Sequence, residues 1–244
     1  MTQSSDEPKL QIRVVPVTQF EQNCSLIWDT VSKNAAFIDP GGDIETLMEA
    51  LDKFGLTLKR IWLTHGHLDH AGAADELRER TGVAVEGPHK DDQFWLDQIT
   101  ESSRRFNLPG GRNVTPDRYL EDGDELDLEG VKFQVIHAPG HTPGHVVIYN
   151  SDAKVAFVGD VLFAGSIGRT DFPRGNHQQL INSITGKLWP LGDDTTFVPG
   201  HGPTSTFGRE RKSNPFVADK LTGYGGVKTT TPDDDAQKTT KRYS

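Results

Sequence analysis

The 244-residue sequence has one cysteine, Cys24, and no long apolar segment. A single cysteine excludes a disulfide framework, and Cys24 itself is expected to be a small buried residue. No apolar run approaches the roughly 18 residues that a membrane-spanning helix needs. The start, Met1–Pro8, lacks the basic segment followed by an apolar one that marks a signal peptide. These absences predict a cytoplasmic protein that does not enter a membrane.

The sequence also lacks an excess of basic residues. It contains 26 lysines and arginines against 35 aspartates and glutamates, which gives a net charge of −9 and a pI near 5.4. Nucleic-acid-binding proteins usually carry a basic surface stripe, so we predict no nucleic-acid partner. A chain of this length with 34% hydrophobic residues can bury the core of one domain. A small-molecule substrate is the expected partner, and the sequence contains no signal for oligomeric state.

Composition divides the chain into three parts. Residues 1–9 form a polar N-terminal lead, and the regular apolar runs lie within residues 10–221. From residue 222 the chain is rich in Gly, Thr and Asp and holds too few apolar residues to order itself. We therefore predict one folded domain over residues 10–221 and a disordered tail over residues 222–244.

Polar clusters that follow short apolar runs are the most informative feature of the chain. The runs 60–64, 133–136, 155–159 and 196–200 are rich in β-branched and aromatic residues, and Gly or Pro bounds several of them, which predicts strands. We expect five strand ends to bring polar residues together in a metal site. The clusters are His65-Gly66-His67-Leu68-Asp69-His70, His141, His145, Asp160 and His201.

The spacing within the first cluster predicts two ions rather than one. Side chains alternate along an extended segment, so His65 and His67 point the same way and can hold one ion. The turn beyond them offers Asp69 and His70 to a second ion, and the helix formers in residues 71–80 predict a helix that starts at the site. Imidazole and carboxylate ligands suit zinc and also admit iron or manganese. We therefore predict two divalent metal ions, with zinc preferred.

These motifs resemble the signature of the metallo-β-lactamase superfamily, His-x-His-x-Asp-His followed by a distant His, an Asp and a final His. The resemblance covers residues 12–216 and implies an α+β fold, a four-layer αββα sandwich. His141 is preferred to His137 because the turn Pro139–Thr142 matches the family. His145 and Asp39 are expected to hold the ligands and the adjoining turn in place by hydrogen bonds. The resemblance implies that one ion is held by His65, His67 and His141, the other by Asp69, His70 and His201, and that Asp160 bridges them.

A narrower resemblance, to the glyoxalase II group, lies in residues 159–172. In that group the bridging Asp is followed by an apolar stretch and a Gly-Lys or Gly-Arg pair, whose cation binds the glutathione part of the thioester. Arg169 matches that cation, whereas Asp171 stands where the group usually has an aromatic hydroxyl. Only 43 residues follow His201, where full-length members carry a further helical domain. The chain is therefore more similar to the small, single-domain members of the group.

The resemblance implies a hydrolase in which a metal-bound hydroxide cleaves an acyl thioester, with S-lactoylglutathione or another hydroxyacylglutathione as the expected substrate. Asp69 is expected to be catalytic, because it would orient the nucleophile and return a proton to the leaving group. The alternative is a persulfide dioxygenase that uses a single iron held by His65, His141 and Asp160. A lactonase and a metal-binding protein without activity are further alternatives.

Residues 89–108 place Phe94, Trp95 and Phe106 among charged residues and predict one amphipathic helix. Packing against the core is the expected reason for its apolar face. The alternative is that this face forms a lid or a wall of the substrate site.

Overall fold

The structure, a computed structural model, describes residues 9–223. The predicted polar lead and the predicted disordered tail therefore lie outside the described residues, apart from residue 9 and residues 222–223. Cys24 is buried and free, as expected. Within residues 9–223, no helix combines the length and the apolar character needed to cross a bilayer.

Two mixed sheets form the centre of the protein. The N-terminal sheet has the order β1-β2-β3-β4-β5, in which β3, β4 and β5 run parallel and the other neighbours are antiparallel. The C-terminal sheet has the order β13-β12-β9-β8-β7-β6, and only β12 and β9 are parallel neighbours there. A separate hairpin is formed by β10 and β11. The strands are β1 Leu10–Val17, β2 Gln22–Asp29, β3 Asn34–Ile38, β4 Thr57–Trp62, β5 Val85–Glu86, β6 Glu125–Leu128, β7 Val131–His137, β8 Val146–Asn150, β9 Val155–Gly159, β10 Leu162–Phe163, β11 Ser166–Ile167, β12 Thr196–Pro199 and β13 Ser205–Thr206.

Short helices cover the outer faces of both sheets and connect the strands. They are α1 Ile44–Phe54, α2 Leu68–Ala71, α3 Ala74–Thr81, α4 Gln93–Leu96, α5 Ile99–Phe106, α6 His177–Ser183, α7 Phe207–Ser213 and α8 Asp219–Thr222. Two 3₁₀ turns, Lys90–Asp92 and Trp189–Leu191, and a π-helical turn, Ile184–Leu188, extend these elements.

Three apolar clusters separate four layers. Alternate residues of β3 point to opposite faces, so Phe37 packs with α1 and α3 while Ile38 packs between the two sheets. In the C-terminal sheet, Phe157 of β9 faces the same inter-sheet cluster, and its neighbour Val158 packs with α6 and the π-helical turn. Strands buried on both faces explain why these runs are continuously apolar rather than alternating. The predicted α+β fold, a four-layer αββα sandwich, is confirmed.

Two predicted helices are broken in the structure. The helix predicted over residues 71–80 begins only at Ala74, as α3, and residue 71 belongs to the preceding turn α2. The helical hydrogen bonds are interrupted at Ala73, whose amide donates to the Pro40 carbonyl at 3.0 Å. The single helix predicted over residues 89–108 is a 3₁₀ turn followed by α4 and α5. The helical backbone hydrogen bonds are interrupted after Leu96, whose carbonyl accepts a hydrogen bond from the Val114 amide.

Candidate metal centre

The ends of parallel strands carry most of the predicted ligands. Asp39 follows β3 directly, and His65 comes three residues after the end of its parallel neighbour β4. Asp160 follows β9, and His201 lies just beyond β12, the parallel neighbour of β9. Because parallel neighbours end at the same edge of a sheet, these residues are brought together at one edge of the sandwich.

His141 and His145 are positioned differently from the prediction. His141 lies in the turn between β7 and β8, four residues after β7 ends. His145 immediately precedes β8 and does not follow an apolar run, so the prediction of five strand ends was wrong at this residue. The antiparallel pairing of β7 with β8 brings both ends of the turn back to the same edge, which is why both histidines still reach the site.

Three imidazoles, from His65, His67 and His141, form the first histidine group. The Nδ1 atom of His67 lies 3.1 Å from Nε2 of His65 and 3.1 Å from Nε2 of His141. Burial lowers the pKa of His65 and His141, and it lowers that of His67 to about 3. The three rings are therefore neutral at pH 7 and offer nitrogen lone pairs to a common point, which is what a divalent cation requires.

A second group consists of Asp69, His70 and His201, whose ligand atoms also lie close enough to share one ion. Nε2 of His201 is 3.1 Å from Oδ2 of Asp69, and Nε2 of His70 is 3.7 Å from the same oxygen. This group holds charge: burial opposes protonation of His70, but Asp160, Asp69 and Asp39 raise its pKa well above the usual value. The three carboxylates around His70 therefore favour positive charge at this position.

Asp160 lies between the two groups. Its Oδ1 is 3.4 Å from Nε2 of His70, and its Oδ2 is 3.6 Å from Nε2 of His141. Burial opposes the charge of Asp160, yet the neighbouring His70 keeps its pKa below the usual range. His70 Nε2 and Asp160 Oδ1 are buried without a well-formed hydrogen bond. Such atoms are costly when left unsatisfied, so the donor set fits a bound cation.

A glycine makes room for this arrangement. A Cβ at Gly200 would lie 2.2 Å from Oδ1 of Asp160 and 2.5 Å from Cε1 of His70. Any larger residue would therefore displace a side chain of the second group. The amide of Asn23 donates to the Gly200 carbonyl at 2.7 Å, which ties this loop to β2 of the opposite sheet.

Asp39 orients the His70 ring of the second group through the Nδ1 atom of that ring. Its Oδ1 accepts from the Thr64 amide at 2.7 Å, and its Oδ2 accepts from the Thr64 hydroxyl at 2.6 Å. The same Oδ2 lies 2.9 Å from Nδ1 of His70, which leaves Nε2 of that ring facing Asp69 and Asp160. Asp39, His65 and His70 also lie close together. Because both oxygens of Asp39 already accept hydrogen bonds, we interpret it as an orienting partner and not as a ligand.

His145 and His137 do not present nitrogens to either group. His145 Nε2 accepts from the Asp160 amide at 3.1 Å, and its ring stacks on His65 at 4.6 Å between centroids. His137 contacts the Pro143 carbonyl through Nε2 at 2.8 Å. His141 itself is oriented by its Nδ1, which lies 2.8 Å from the Arg169 carbonyl.

Two residues at the site had no place in the sequence prediction, Thr64 and Asp92. Thr64 stands directly before the first cluster, so its position was a usable signal. Asp92 lies in a segment of mixed charge, and nothing in the sequence around it indicates a role at the site. It is fully buried, and burial raises its pKa to about 6 even though Thr142, Gly66 and Gly144 donate hydrogen bonds to it.

A cavity of about 360 Å³ opens over the two groups. His67 and Asp69 form its floor, and four aromatic side chains form its walls. Arg169 lies at its edge with its guanidinium 4.5 Å from the ring centroid of Phe172. Its Nε and Nη2 atoms donate to Asp171 at 2.9 and 2.8 Å, so the predicted substrate cation is already paired. The aromatic residues are Phe20, Trp95, Phe106 and Phe172.

The sequence matches the profile of the metallo-β-lactamase superfamily over residues 17–201. The chain belongs to this superfamily. It is 50% identical over 212 residues to the hydroxyacylglutathione hydrolase GloC of Haemophilus influenzae, an alignment that covers 86% of this chain and all of that protein. The predictions of the superfamily and of a metal-dependent enzyme resembling hydroxyacylglutathione hydrolases are thereby confirmed.

Three solved structures are similar to this fold. The B3 metallo-β-lactamase BLEG-1 has a TM-score of 0.78 and 37% identity, covering 85% of this chain and 99% of that one. TTHA1623 in a di-iron-bound form has a TM-score of 0.76 and 35% identity, covering 84% and 99%. ETHE1 from Myxococcus xanthus has a TM-score of 0.67 and 30% identity, covering 85% and 84%. Superfamily membership implies divalent metal ions at the site.

Proposed function

We propose that this protein hydrolyses an acyl thioester of glutathione with two divalent metal ions. The observation that carries the proposal is the position of Asp160, whose two oxygens face the first histidine group and the second group separately. A carboxylate that faces two ligand sets in this way fits a pair of adjacent ions. The di-iron form of TTHA1623 and the name of the Haemophilus influenzae relative support the two parts of the proposal.

His65, His67 and His141 would hold one ion, Asp69, His70 and His201 the other, and Asp160 would bind both. When bound, such ions lower the pKa of a coordinated water to about 7 and polarise a carbonyl oxygen, which supplies both nucleophile and electrophilic partner. We propose zinc as the preferred ion, and iron fits the same imidazole and carboxylate set.

Asp69 combines two positions that suit a catalytic role. Its carboxylate belongs to the second group, and it also lines the substrate cavity. Burial opposes its ionisation, but His70 and a hydrogen bond with His201 keep the pKa of Asp69 below its usual value. As a carboxylate it can orient the nucleophile and carry a proton toward the leaving sulfur. A thiolate needs little protonation, so the orienting role is the more important one.

The cavity over the site provides the substrate pocket. Its aromatic walls suit the apolar portion of an acyl thioester, and Arg169 is the cation at its edge that can meet a glutathione carboxylate. Because the guanidinium is paired with exposed Asp171, an incoming carboxylate has to displace that partner. A small-molecule substrate fits a cavity of this size, and a cytoplasmic location remains a prediction.

A persulfide dioxygenase with one iron is the second candidate. The observation that favours it is that His65, His141 and Asp160 are all in place, with Asp160 Oδ2 3.6 Å from Nε2 of His141. The second group is equally complete, and a single-iron reaction would give it no part. For that reason we prefer the hydrolase.

Elemental analysis of freshly purified protein, combined with an S-lactoylglutathione hydrolysis assay in air, tests the proposal. Two metals per chain with thioester turnover are expected. Asp69→Asn should lower kcat/KM by about 10²- to 10⁴-fold, whereas Glu101→Gln, an exposed acid on α5, should have no effect. One iron per chain, no thioester turnover and oxygen uptake with glutathione persulfide would instead favour the dioxygenase.

A further inference from the structure

Asp92 is a buried carboxylate that bonds two separate loops. Its Oδ2 accepts from the Gly66 amide at 2.9 Å and from the Thr142 hydroxyl at 2.7 Å. Its Oδ1 accepts from the Gly144 amide at 2.6 Å. All three donors belong to loops outside the 3₁₀ turn that carries Asp92. A buried carboxylate is costly unless donors satisfy it, and here the loops supply those donors.

The two loops are the ones that carry the first histidine group. Gly66 lies between His65 and His67, and Thr142 follows His141 directly. We propose that Asp92 is a positioning residue that fixes the separation of these loops and so preorganises the first metal position. The inference rests on the proposed function, in which the three histidines hold one ion.

The packing around Asp92 leaves the loops little freedom. A Cβ at Gly66 would lie 2.9 Å from the Asp92 carbonyl oxygen, and a Cβ at Gly144 would lie 2.5 Å from the Asp92 amide nitrogen. The His89 amide donates to the Gly144 carbonyl at 3.1 Å, which adds a backbone tie on the same side. Both loops therefore abut the 3₁₀ turn directly.

The helix that follows Asp92, α4, also contacts the imidazole ring of His67. Trp95, three residues beyond Asp92 on α4, packs edge-to-face on His67 with 4.6 Å between ring centroids. A Cβ at Gly66 would also lie 2.8 Å from Cβ of Trp95. The segment from Asp92 to Trp95 thus contacts the His65–His67 loop through a hydrogen bond and through an aromatic ring. A ligand set assembled from two loops needs such support, since neither loop alone fixes the distance to the other.

A carboxylate suits this role better than an amide. Two carboxylate oxygens offer acceptor sites for all three donors, whereas an asparagine offers one oxygen and turns its NH₂ group toward a donor. Asp92→Asn should therefore keep the side-chain volume and lose part of the hydrogen bonding to the two loops, and Asp92→Ala should lose all of these hydrogen bonds. Thr142→Val removes a single donor from one loop and leaves the carboxylate in place.

The test is stepwise zinc affinity, measured by competition with a chromogenic chelator on variants that circular dichroism shows to be folded. Loss of a group that orients metal ligands typically weakens metal binding by about 10- to 100-fold. We expect that loss for one of the two ions in Asp92→Ala, a smaller loss in Asp92→Asn and the smallest in Thr142→Val. Asp97→Asn, an exposed acid just beyond α4, is the matched control and should bind both ions as the wild type does.

Equal zinc affinities in Asp92→Ala and the wild type would overturn the proposal. So would a parallel weakening of both ions that follows the melting temperature of the metal-free protein, because that pattern marks a purely structural residue. The readout does not depend on thioester turnover. Selective loss of one ion in a protein that fails to cleave thioesters would support the role of Asp92 while contradicting the proposed substrate.

Discussion

The two halves of the candidate metal centre are built in different ways. The first histidine group is neutral, and its members, His65, His67 and His141, come from loops joined by hydrogen bonds to buried Asp92. The second group combines one carboxylate with two imidazoles, and its most exposed member, His201, lies in a loop bonded to β2 of the opposite sheet. The ligands of the first half are neutral and are positioned by hydrogen bonds from their loops to Asp92, whereas the ligands of the second half are positioned by charge.

This difference determines what holds each half together without metal. Neutral nitrogens that face one another gain nothing from their proximity, so the first group depends on the surrounding loops for its geometry. In the second group, a protonated His70 is attracted to Asp39, Asp69 and Asp160, and the charges hold the side chains near their positions. An ion that binds the first group therefore meets free nitrogen lone pairs, whereas an ion that binds the second group has to displace a proton from His70.

Replacing Asp160 should have the largest effect, because this residue is shared by both halves. Asp160→Asn removes the charge that faces His70 and His141 and leaves one oxygen where two faced the groups. We expect the stoichiometry to fall below two ions and kcat/KM to fall by more than the about 10²- to 10³-fold typical for loss of one electrostatic partner. Elemental analysis and the thioester assay measure both effects. Asp152→Asn, in the exposed turn before β9, is the control. An Asp160→Asn protein that retains two ions and full activity would contradict the bridging position.

Asp39→Asn should separate the two halves. It removes a negative partner of His70 Nδ1 and disturbs the two bonds to Thr64, while the partners of Asp92 stay in place. We expect about 10- to 100-fold weaker binding of the ion of the second group. The other ion should lose less affinity, through the Thr64 hydroxyl, which bonds Asp39 and lies 3.1 Å from Nδ1 of His65.

The ion whose binding Asp39→Asn weakens most should be the one that Asp92 variants leave unaffected. The double variant with Asp92→Asn should therefore bind both ions more weakly, with independent effects. Asp52→Asn, an exposed acid on α1, is the control for the Asp39 change. If Asp39→Asn and Asp92→Asn have their larger effect on the same ion, the division into two separately supported halves is wrong.

The pH dependence of metal binding should differ between the halves. The pKa of His70 is raised, so in the metal-free protein His70 is protonated at pH 7 and releases that proton when an ion binds. Affinity for the second ion should rise with pH up to the raised pKa, by about tenfold per pH unit for each proton displaced.

For the first group the same competition with protons should occur at lower pH, because burial lowers the pKa values of its histidines. Its affinity should be flat near pH 7 and fall only in acid, where protons begin to compete. Zinc titrations between pH 6 and pH 8, with proton release followed by a weakly buffered indicator, measure both slopes. Equal slopes for the two ions would contradict the contrast in charge.

The sequence allowed more of the ligand set to be predicted than of its support. His65, His67 and Asp160 follow strands that local composition identifies, and parallel pairing brings strand ends together wherever a sheet forms. Asp92 could not be predicted, because its three partners lie 26, 50 and 52 positions away along the chain. The two helix predictions were wrong in extent for the same reason: local helix propensity was right, but a backbone hydrogen bond to a distant residue, at Ala73 and at Leu96, interrupts each helix.

The smallest expected effect concerns Arg169, whose backbone carbonyl orients His141 while its side chain reaches the substrate cavity. The guanidinium donates twice to Asp171, and both side chains are largely exposed, so a substrate carboxylate competes with a weak, water-screened pair. Asp171→Asn should lower KM for S-lactoylglutathione by about two- to fivefold. Arg169→Ala should raise KM, and kcat should change little in either variant because the carbonyl that orients His141 is retained. Steady-state kinetics on both variants measure these shifts, and a KM that neither variant changes would remove Arg169 from the substrate site without affecting the metal centre.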